Sequence, residues 1–190
     1  MTYIIVALLI EAKPLIKHYS LKRIDEPDIL LFANEEILLC VTQVGYDNAF
    51  LTTQRLFQYR KAKECDIMIN LGLCGAPKEY KLGSLLLIDK IVYQKQISIL
   101  DITIEHSCIE STLLSVTQAQ SSTAKTPVDM EADAIYRAVS DFMNPHQLLF
   151  VKIVSDHFKP ESLTKNLAYG LINKQIKVIS SLIYALQRNI

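Results

Sequence analysis

The sequence lacks an excess of charge of either sign. Twenty Lys and Arg residues balance twenty Asp and Glu residues, and no block of like charge stands out. A protein that binds a polyanion usually carries a basic face, so this balance argues against a nucleic-acid partner. The length of 190 residues, half of them hydrophobic, instead fits one globular domain that can bury a core.

Long hydrophobic runs are also missing. The run Ile4–Ile10 near the start of the chain is seven residues long and ends at Glu11. It is too short to cross a bilayer, and it has neither the basic leader nor the small-residue cleavage site of a signal peptide. We therefore expect a cytoplasmic protein without a membrane partner, in which this run forms a buried first strand.

Patterns of metal ligands and disulfides are absent too. None of the cysteines forms a C-x-x-C pair, and no two of the four histidines have the spacing of ligands on one helix. We expect no metal site and no cofactor.

What the sequence does contain is an alternation of β-rich and helical segments. Helical spacing of apolar residues follows Asp47 or Asn48 and recurs over Glu131–Phe142 and over about Thr164 to Arg188. The β-rich runs have little polar alternation, which is typical of strands covered on both faces. Alternating strands and helices predict an α/β fold with a central, mainly parallel sheet. The predicted strands are Tyr3–Leu9, Ile37–Thr42, Asp66–Leu71, Ser84–Ile88, Leu113–Thr117 and Leu148–Val154, with shorter ones at Ile29–Ala33 and Ile97–Leu100.

Polar residues stand where three of these strands end. The first strand is predicted to end at Glu11, the third ends in "NLGLCGAP" with Gly75, and the last ends in "VSDHF" with Ser155 and Asp156. Sites in α/β proteins lie at the carboxyl ends of the strands, so we expect these residues at one crevice.

An acidic helix start, "TPVDMEADAIYRA", directly precedes the last strand. Acids at a helix start have a purely structural explanation, because the free N–H groups there favour negative charge. The alternative is that Glu131 lies on the same rim as Glu11 and Asp156. Carboxyl groups with separated pKa values are what acid–base cleavage of a glycosidic bond requires.

The segment "GLCGA" leaves a different catalyst open. Cys74 could be an exposed nucleophile on a strand-to-helix turn, but the expected form is G-x-C-x-G and Pro77 interrupts any following helix. The favoured interpretation is a small buried residue on a tight turn.

The order of these motifs resembles the nucleoside phosphorylase and nucleosidase family, most closely its methylthioadenosine/S-adenosylhomocysteine nucleosidase branch. The resemblance implies a three-layer α/β/α sandwich around a mixed sheet, and cleavage of the N-glycosidic bond of a purine nucleoside. It covers nearly the whole chain. The matching stretches are "IIVALLIEAKPL", "VTQVGYDNA", "CDIMINLGLCGAPKEYKLGSLLLIDKIVY", "VDMEADAI" and "LLFVKIVSDH".

The resemblance also implies the roles of individual residues. Glu11 matches the base that activates the attacking water. Asp156 matches the acid that protonates the leaving purine, with Ser155 supporting it.

Three further residues match the family's sugar-binding positions. Glu131 corresponds to the acid that binds the ribose hydroxyls, and Met130 to the methionine packed against the sugar. Gly75 falls in the glycine turn beside the sugar.

Two alternatives remain, a non-catalytic relative that binds a nucleoside or another protein, and a phosphate-dependent phosphorylase. None of the arginines lies in a glycine-rich phosphate motif, which favours water over phosphate. We expect one domain over 1–190, shortened relative to the family between about 93 and 127, where no aromatic residue occurs between Tyr93 and Tyr136. The family also implies a homodimer.

Overall fold

The computed structural model describes residues 1–118 and 124–190. The described part of the chain contains no helix long and apolar enough to cross a membrane. The helices are α1 Leu9–His18, α2 Tyr46–Tyr59, α3 Ala132–Val139 and α4 Lys165–Asn189. The strands are β1 Thr2–Val6, β2 Lys22–Ile24, β3 Leu30–Ala33, β4 Ile37–Val41, β5 Ile67–Gly75, β6 Leu85–Tyr93, β7 Gln96–Ile99, β8 Ile109–Ser115, β9 Val128–Asp129 and β10 Leu148–Asp156.

The strands form one mixed sheet with a parallel centre. Strands β4, β1, β5 and β10 run parallel in that spatial order, and β3 and β2 continue the sheet in antiparallel pairs beyond β4. On the other side, β6, β8 and β9 curve back until β9 pairs with β5. Strands β5, β10, β6, β8 and β9 therefore close into a ring, and the carboxyl ends of the parallel strands meet at one edge.

Helices cover both faces of the sheet. Side chains of β1 alternate, because successive residues of a strand point to opposite faces. Ile4 and Val6 pack into the core shared with α1 and α4, whereas Tyr3 and Ile5 pack into the core shared with α2 and α3. The predicted three-layer α/β/α sandwich around a mixed sheet is thus confirmed.

The first apolar run differs from its prediction. It was predicted as one strand ending at Glu11, but β1 ends at Val6 and α1 begins at Leu9, so Glu11 lies in the first turn of a helix. The helix buries Ala12 and Leu15 against the sheet, so its first residues are as apolar in sequence as a buried strand. Periodicity cannot separate the two in so short a run.

Candidate active site

A cavity of about 230 Å³ opens at the carboxyl edge of the sheet. Its walls come from the start of α1, the ends of β5 and β10, and the segment that joins β9 to α3. All six residues predicted for the site line this one cavity. They are Glu11, Gly75, Met130, Glu131, Ser155 and Asp156.

Glu11 is held by two backbone donors. The N–H of Leu8 donates to Oε2 at 2.8 Å, and the N–H of Leu73 donates to Oε1 at 3.1 Å. Burial raises the pKa of the Glu11 carboxyl, and these hydrogen bonds and Lys152 offset only part of that effect. A carboxyl with a raised pKa is a stronger base once it has lost its proton.

The acidic helix start divides into two acids with different contacts. Asp129 satisfies the start of α3, because its Oδ2 accepts from the N–H of Ala132 at 2.9 Å. The Glu131 side chain does not cap that helix. Its Oε1 instead accepts from the N–H of Gly45 at 2.9 Å, at the start of α2. The structural explanation of the acids therefore holds for Asp129 and fails for Glu131.

The neighbourhood of Glu131 also changes its acidity. Burial raises the pKa of its carboxyl to about 7, with a further contribution from the Asp129 charge. The Gly45 hydrogen bond and the Lys152 charge act in the opposite direction. Glu131 therefore changes charge near neutral pH.

Sequence reasoning missed Lys152, which lies beneath the carboxylates. Its Nζ contacts Asp129 Oδ2 at 2.8 Å in an ion pair whose two side chains are 2% and 1% exposed. Gly72 leaves room for this ammonium, because a Cβ there would stand 3.2 Å from Nζ. Burial lowers the pKa of Lys152, but the charges of Asp129, Glu131 and Glu11 outweigh burial and leave that pKa raised. The available signal was a single lysine inside the apolar run "LLFVKIV".

Asp156 is oriented by residues close to it in the chain. The N–H of Lys159 donates to Oδ1 at 2.8 Å, and the hydroxyl of Ser155 lies 2.7 Å from Oδ2. Gly75 faces this carboxyl at close range, since a Cβ there would stand 3.3 Å from Oδ1. A larger residue at position 75 would displace Asp156.

Cys74 lines the cavity wall but is buried. Burial raises the pKa of its thiol, so it is not a ready thiolate. This supports the interpretation of Cys74 as a small core residue rather than a nucleophile.

A sequence model of the family described as the phosphorylase superfamily matches residues 4–140. The chain belongs to the phosphorylase superfamily. Its match extends from β1 to the end of α3 and so includes Glu11, Gly75 and Glu131.

Several solved structures share the fold of this chain. The Arabidopsis thaliana 5′-methylthioadenosine nucleosidase is 16% identical, with a TM-score of 0.80 over 97% of this chain and 95% of that one. A 5′-methylthioadenosine/S-adenosylhomocysteine nucleosidase from Neisseria meningitidis, solved with methylthio-immucillin-A, is 15% identical, with a TM-score of 0.73 over 99% and 98%. One from Colwellia psychrerythraea, solved with adenine, is 13% identical, with a TM-score of 0.77 over 99% and 94%. At such identities the likeness establishes the fold.

A search among curated proteins gave no match.

This superfamily member has one further wall residue that sequence reasoning missed. Phe158 is the sole aromatic side chain lining the cavity within 1–118 and 124–190. It is buried, its ring would lie 3.4 Å from a Cβ at Gly75, and its backbone is left-handed with φ of 59°. A bulky residue rarely adopts that conformation, and such strain persists only where the surroundings enforce it.

The charged side chains that line the cavity in residues 1–118 and 124–190 are all acidic. Four carboxylate side chains face the cavity, and none of the lining side chains in the described part of the superfamily member is basic. An anion would meet repulsion there, whereas a neutral ligand with hydroxyl donors or a developing cation would be stabilised. The four are Glu11, Asp129, Glu131 and Asp156.

Proposed function

We propose that this protein hydrolyses the N-glycosidic bond of a purine nucleoside, methylthioadenosine-like, and releases the free base and the sugar. The observation that carries the proposal is that Glu11, Glu131 and Asp156 surround one cavity of about 230 Å³. The methylthioadenosine nucleosidases among the structures of similar fold support this choice of substrate.

The sugar would lie against Glu131 and Met130. One oxygen of Glu131 is engaged by Gly45, which leaves Oε2 to accept from a ribose hydroxyl. Met130 adds an apolar surface, and Gly75 lines the same cavity without a side chain of its own.

The leaving base would lie on the side of Asp156 and Phe158. A purine leaves poorly as an anion, so a proton given by the Asp156 carboxyl to a ring nitrogen lowers the barrier. The electrons of the C1′–N bond then pass to the base, and the sugar becomes oxocarbenium-like. Phe158 offers the aromatic surface on which a purine ring can stack.

Water completes the reaction. The water oxygen attacks C1′ while Glu11 takes one of its protons, and solvent later returns that proton to Asp156. Each turnover thus consumes one water and leaves both carboxyl groups in their starting protonation states.

The charge of the lining favours water over phosphate as the nucleophile. Phosphate carries negative charge and is bound in proteins by basic side chains or by clustered N–H groups. The acidic lining described above would repel it. A phosphate-dependent phosphorylase is therefore the weaker alternative.

A substrate panel tests the proposal. The protein is incubated with methylthioadenosine, adenosylhomocysteine, adenosine and inosine, with uridine as a pyrimidine control and with or without phosphate. Free base should appear from a purine nucleoside without phosphate. Release that requires phosphate would contradict the hydrolase, and binding without turnover would favour the non-catalytic relative.

The wider setting belongs to the same proposal. We propose a cytoplasmic protein that forms one family domain over 1–190, shortened between about 93 and 127, and that works as a homodimer. Ile97 and Ile99, two positions apart on β7, are 64% and 69% exposed, so one face of this strand offers an apolar surface to a second copy. Sedimentation of a monomer at micromolar concentration would contradict the dimer.

A further inference from the structure

Two hydrogen bonds join the starts of α2 and α3. The N–H of Gly45 donates to Glu131 Oε1 at 2.9 Å, and the hydroxyl of Tyr46 donates to Asp133 Oδ2 at 2.9 Å. Gly45 and Tyr46 are adjacent in the chain at the start of α2. They thus bind Glu131 and Asp133, which lie two residues apart at the start of α3. The first bond holds a side chain of the cavity, whereas the second lies outside its lining.

Asp133 is a fixed acceptor. It is 1% exposed, and its backbone N–H donates to the Ser115 hydroxyl at 3.3 Å. Arg137, one turn further along α3, donates through Nε to Asp133 Oδ2 at 2.6 Å. The backbone of Asp133 is therefore tied to β8, and its carboxylate, which receives the Tyr46 hydroxyl, is held by Arg137.

The ring of Tyr46 has a partner of its own. It stacks on Tyr93 with ring centroids 4.9 Å apart and an interplanar angle of 21°. The Arg137 guanidinium lies 5.8 Å from the centre of the same Tyr93 ring. Burial and the Asp133 contact raise the pKa of Tyr46 to about 12, so the phenol stays a donor at neutral pH.

The backbone around Gly45 has few other ties to the rest of the fold. Gly45 has a φ of 103° and no side-chain cap, and a Cβ built on it would touch nothing within 4 Å. Val44, the preceding residue, is exposed. Asn48 Nδ2 donates to the Val44 carbonyl at 2.9 Å, but that contact stays within the segment. The hydroxyl of Tyr46 is the side-chain donor that ties the start of α2, beside the Gly45 N–H, to α3.

We propose that Tyr46, Asp133 and Arg137 form a positioning clamp that holds the Gly45 N–H, and through it the Glu131 carboxylate, at the sugar side of the cavity. The proposal rests on the sugar-binding role given to Glu131 above. These three residues do not touch the substrate, and a displacement of about 1 Å in a binding group is enough to lower affinity and rate.

Tyr46→Phe tests the clamp, with Tyr19→Phe as a matched control. The Tyr19 hydroxyl also makes a partly buried hydrogen bond, with Ser180 Oγ at 2.7 Å. That contact joins the end of α1 to α4 on the other face of the sheet. Amide hydrogen exchange of Gly45 reports on the clamp without any need for activity. We expect its protection to fall about tenfold in Tyr46→Phe and to stay unchanged in Tyr19→Phe. Equal protection in both variants would overturn the clamp.

A ligand pair then separates the clamp from the proposed function. The probes are formycin A, whose C–C glycosidic bond cannot be hydrolysed, and its 2′,3′-dideoxy counterpart. We expect Tyr46→Phe to weaken formycin A about fivefold and the dideoxy compound less than twofold, because only the first reaches Glu131. A wild-type protein that does not distinguish the two would refute the sugar-binding role of Glu131. A wild-type protein that distinguishes them, with equal losses for both probes in Tyr46→Phe, would refute the clamp instead.

Discussion

The two sides of the cavity are built in different ways. The carboxylate side consists of Glu11, Asp129 and Glu131 with Lys152 beneath them, and the loop side consists of residues 155–163. Contacts on the carboxylate side join residues far apart in the chain, such as Leu73 to Glu11 and Gly45 to Glu131. On the loop side, Asp156 is oriented by the adjacent Ser155 and by Lys159, three residues away.

This difference separates what the fold fixes from what a local turn fixes. The carboxylate side can form only when α1, α2, β5, β9 and β10 are all in place, so changes there should affect folding as well as chemistry. The loop side combines the end of β10, where the Ser155 hydroxyl donates to the Cys74 carbonyl at 3.2 Å, with the turn that follows it. Side-chain changes there should affect chemistry more than stability.

Asp156→Asn should have the largest effect on turnover. The amide cannot supply the proton to the leaving base, so we expect kcat to fall by about 10²–10⁴-fold. Stability should change little, because Asn still accepts from the Lys159 N–H. Base release and thermal unfolding are measured together, with the exposed Asp141→Asn as the control. Retained turnover in Asp156→Asn would show that another group is the acid.

Lys152→Met should have the largest effect on stability. It leaves the Asp129 carboxylate buried without its partner, which costs about 3–5 kcal/mol in the free energy of unfolding. Lys90→Met is the matched control. Its contact with Asp89 is 3.8 Å long and its side chain is 48% exposed, so we expect a change of about 0.5 kcal/mol or less.

A second variant keeps this test specific. Lys152→Met combined with Asp129→Asn removes both charges and retains an acceptor for the Ala132 N–H. Most of the lost stability should return, as urea unfolding would measure. If the double variant is as unstable as the single one, then loss of packing rather than an unpaired charge is the cause.

The same contrast explains what could be predicted from sequence. The layers were predictable because alternating apolar runs and helical stripes specify which faces are buried. Strand ends were predictable as site positions because parallel strands share one edge, which placed Gly75, Ser155 and Asp156 together. The family resemblance supplied the roles, which no spacing in the chain provides.

Residues whose importance depends on partners far away in sequence were not predictable. Lys152 has meaning only beside Asp129, and the space for its ammonium depends on Gly72 across the neighbouring strand. The first turn of α1 differs from its prediction as a strand end because the apolar run of β1 continues without a break into the helix. Phe158 lines the cavity because its backbone is left-handed, a conformation that the presence of a phenylalanine does not predict.

Stability should depend on pH through the carboxylate side. The folded pKa of Glu131 is about 7, above the ordinary value, so the folded state holds a proton that the unfolded chain releases earlier. The proton on Glu131 therefore contributes fully to stability below the pKa range of an ordinary glutamate. That contribution is lost as pH rises toward 7. Glu11, also raised, acts in the same direction. Urea midpoints between pH 4.5 and pH 7.5 should fall less steeply in Glu131→Gln, and an unchanged slope would remove Glu131 as a source.

Phe158→Gly should have the smallest effect on turnover and a selective effect on substrate binding. Glycine adopts the left-handed backbone without strain, so the turn that presents the Lys159 N–H to Asp156 is kept while the ring is lost. Stacking of a base on an aromatic ring is worth about 1–3 kcal/mol, so KM for a purine nucleoside should rise about tenfold. Phe158→Tyr keeps the ring and should keep KM.

Lys95→Gly controls for the backbone in this last test. Lys95 is also left-handed, with φ of 71°, but it lies in the turn between β6 and β7 and does not line the cavity. The stability of the Lys95→Gly variant should change only through the relief of backbone strain, and its KM should stay unchanged. If Phe158→Gly instead leaves KM unchanged and lowers kcat, the residue acts on Asp156 through the turn, and the ring is not the surface that meets the base.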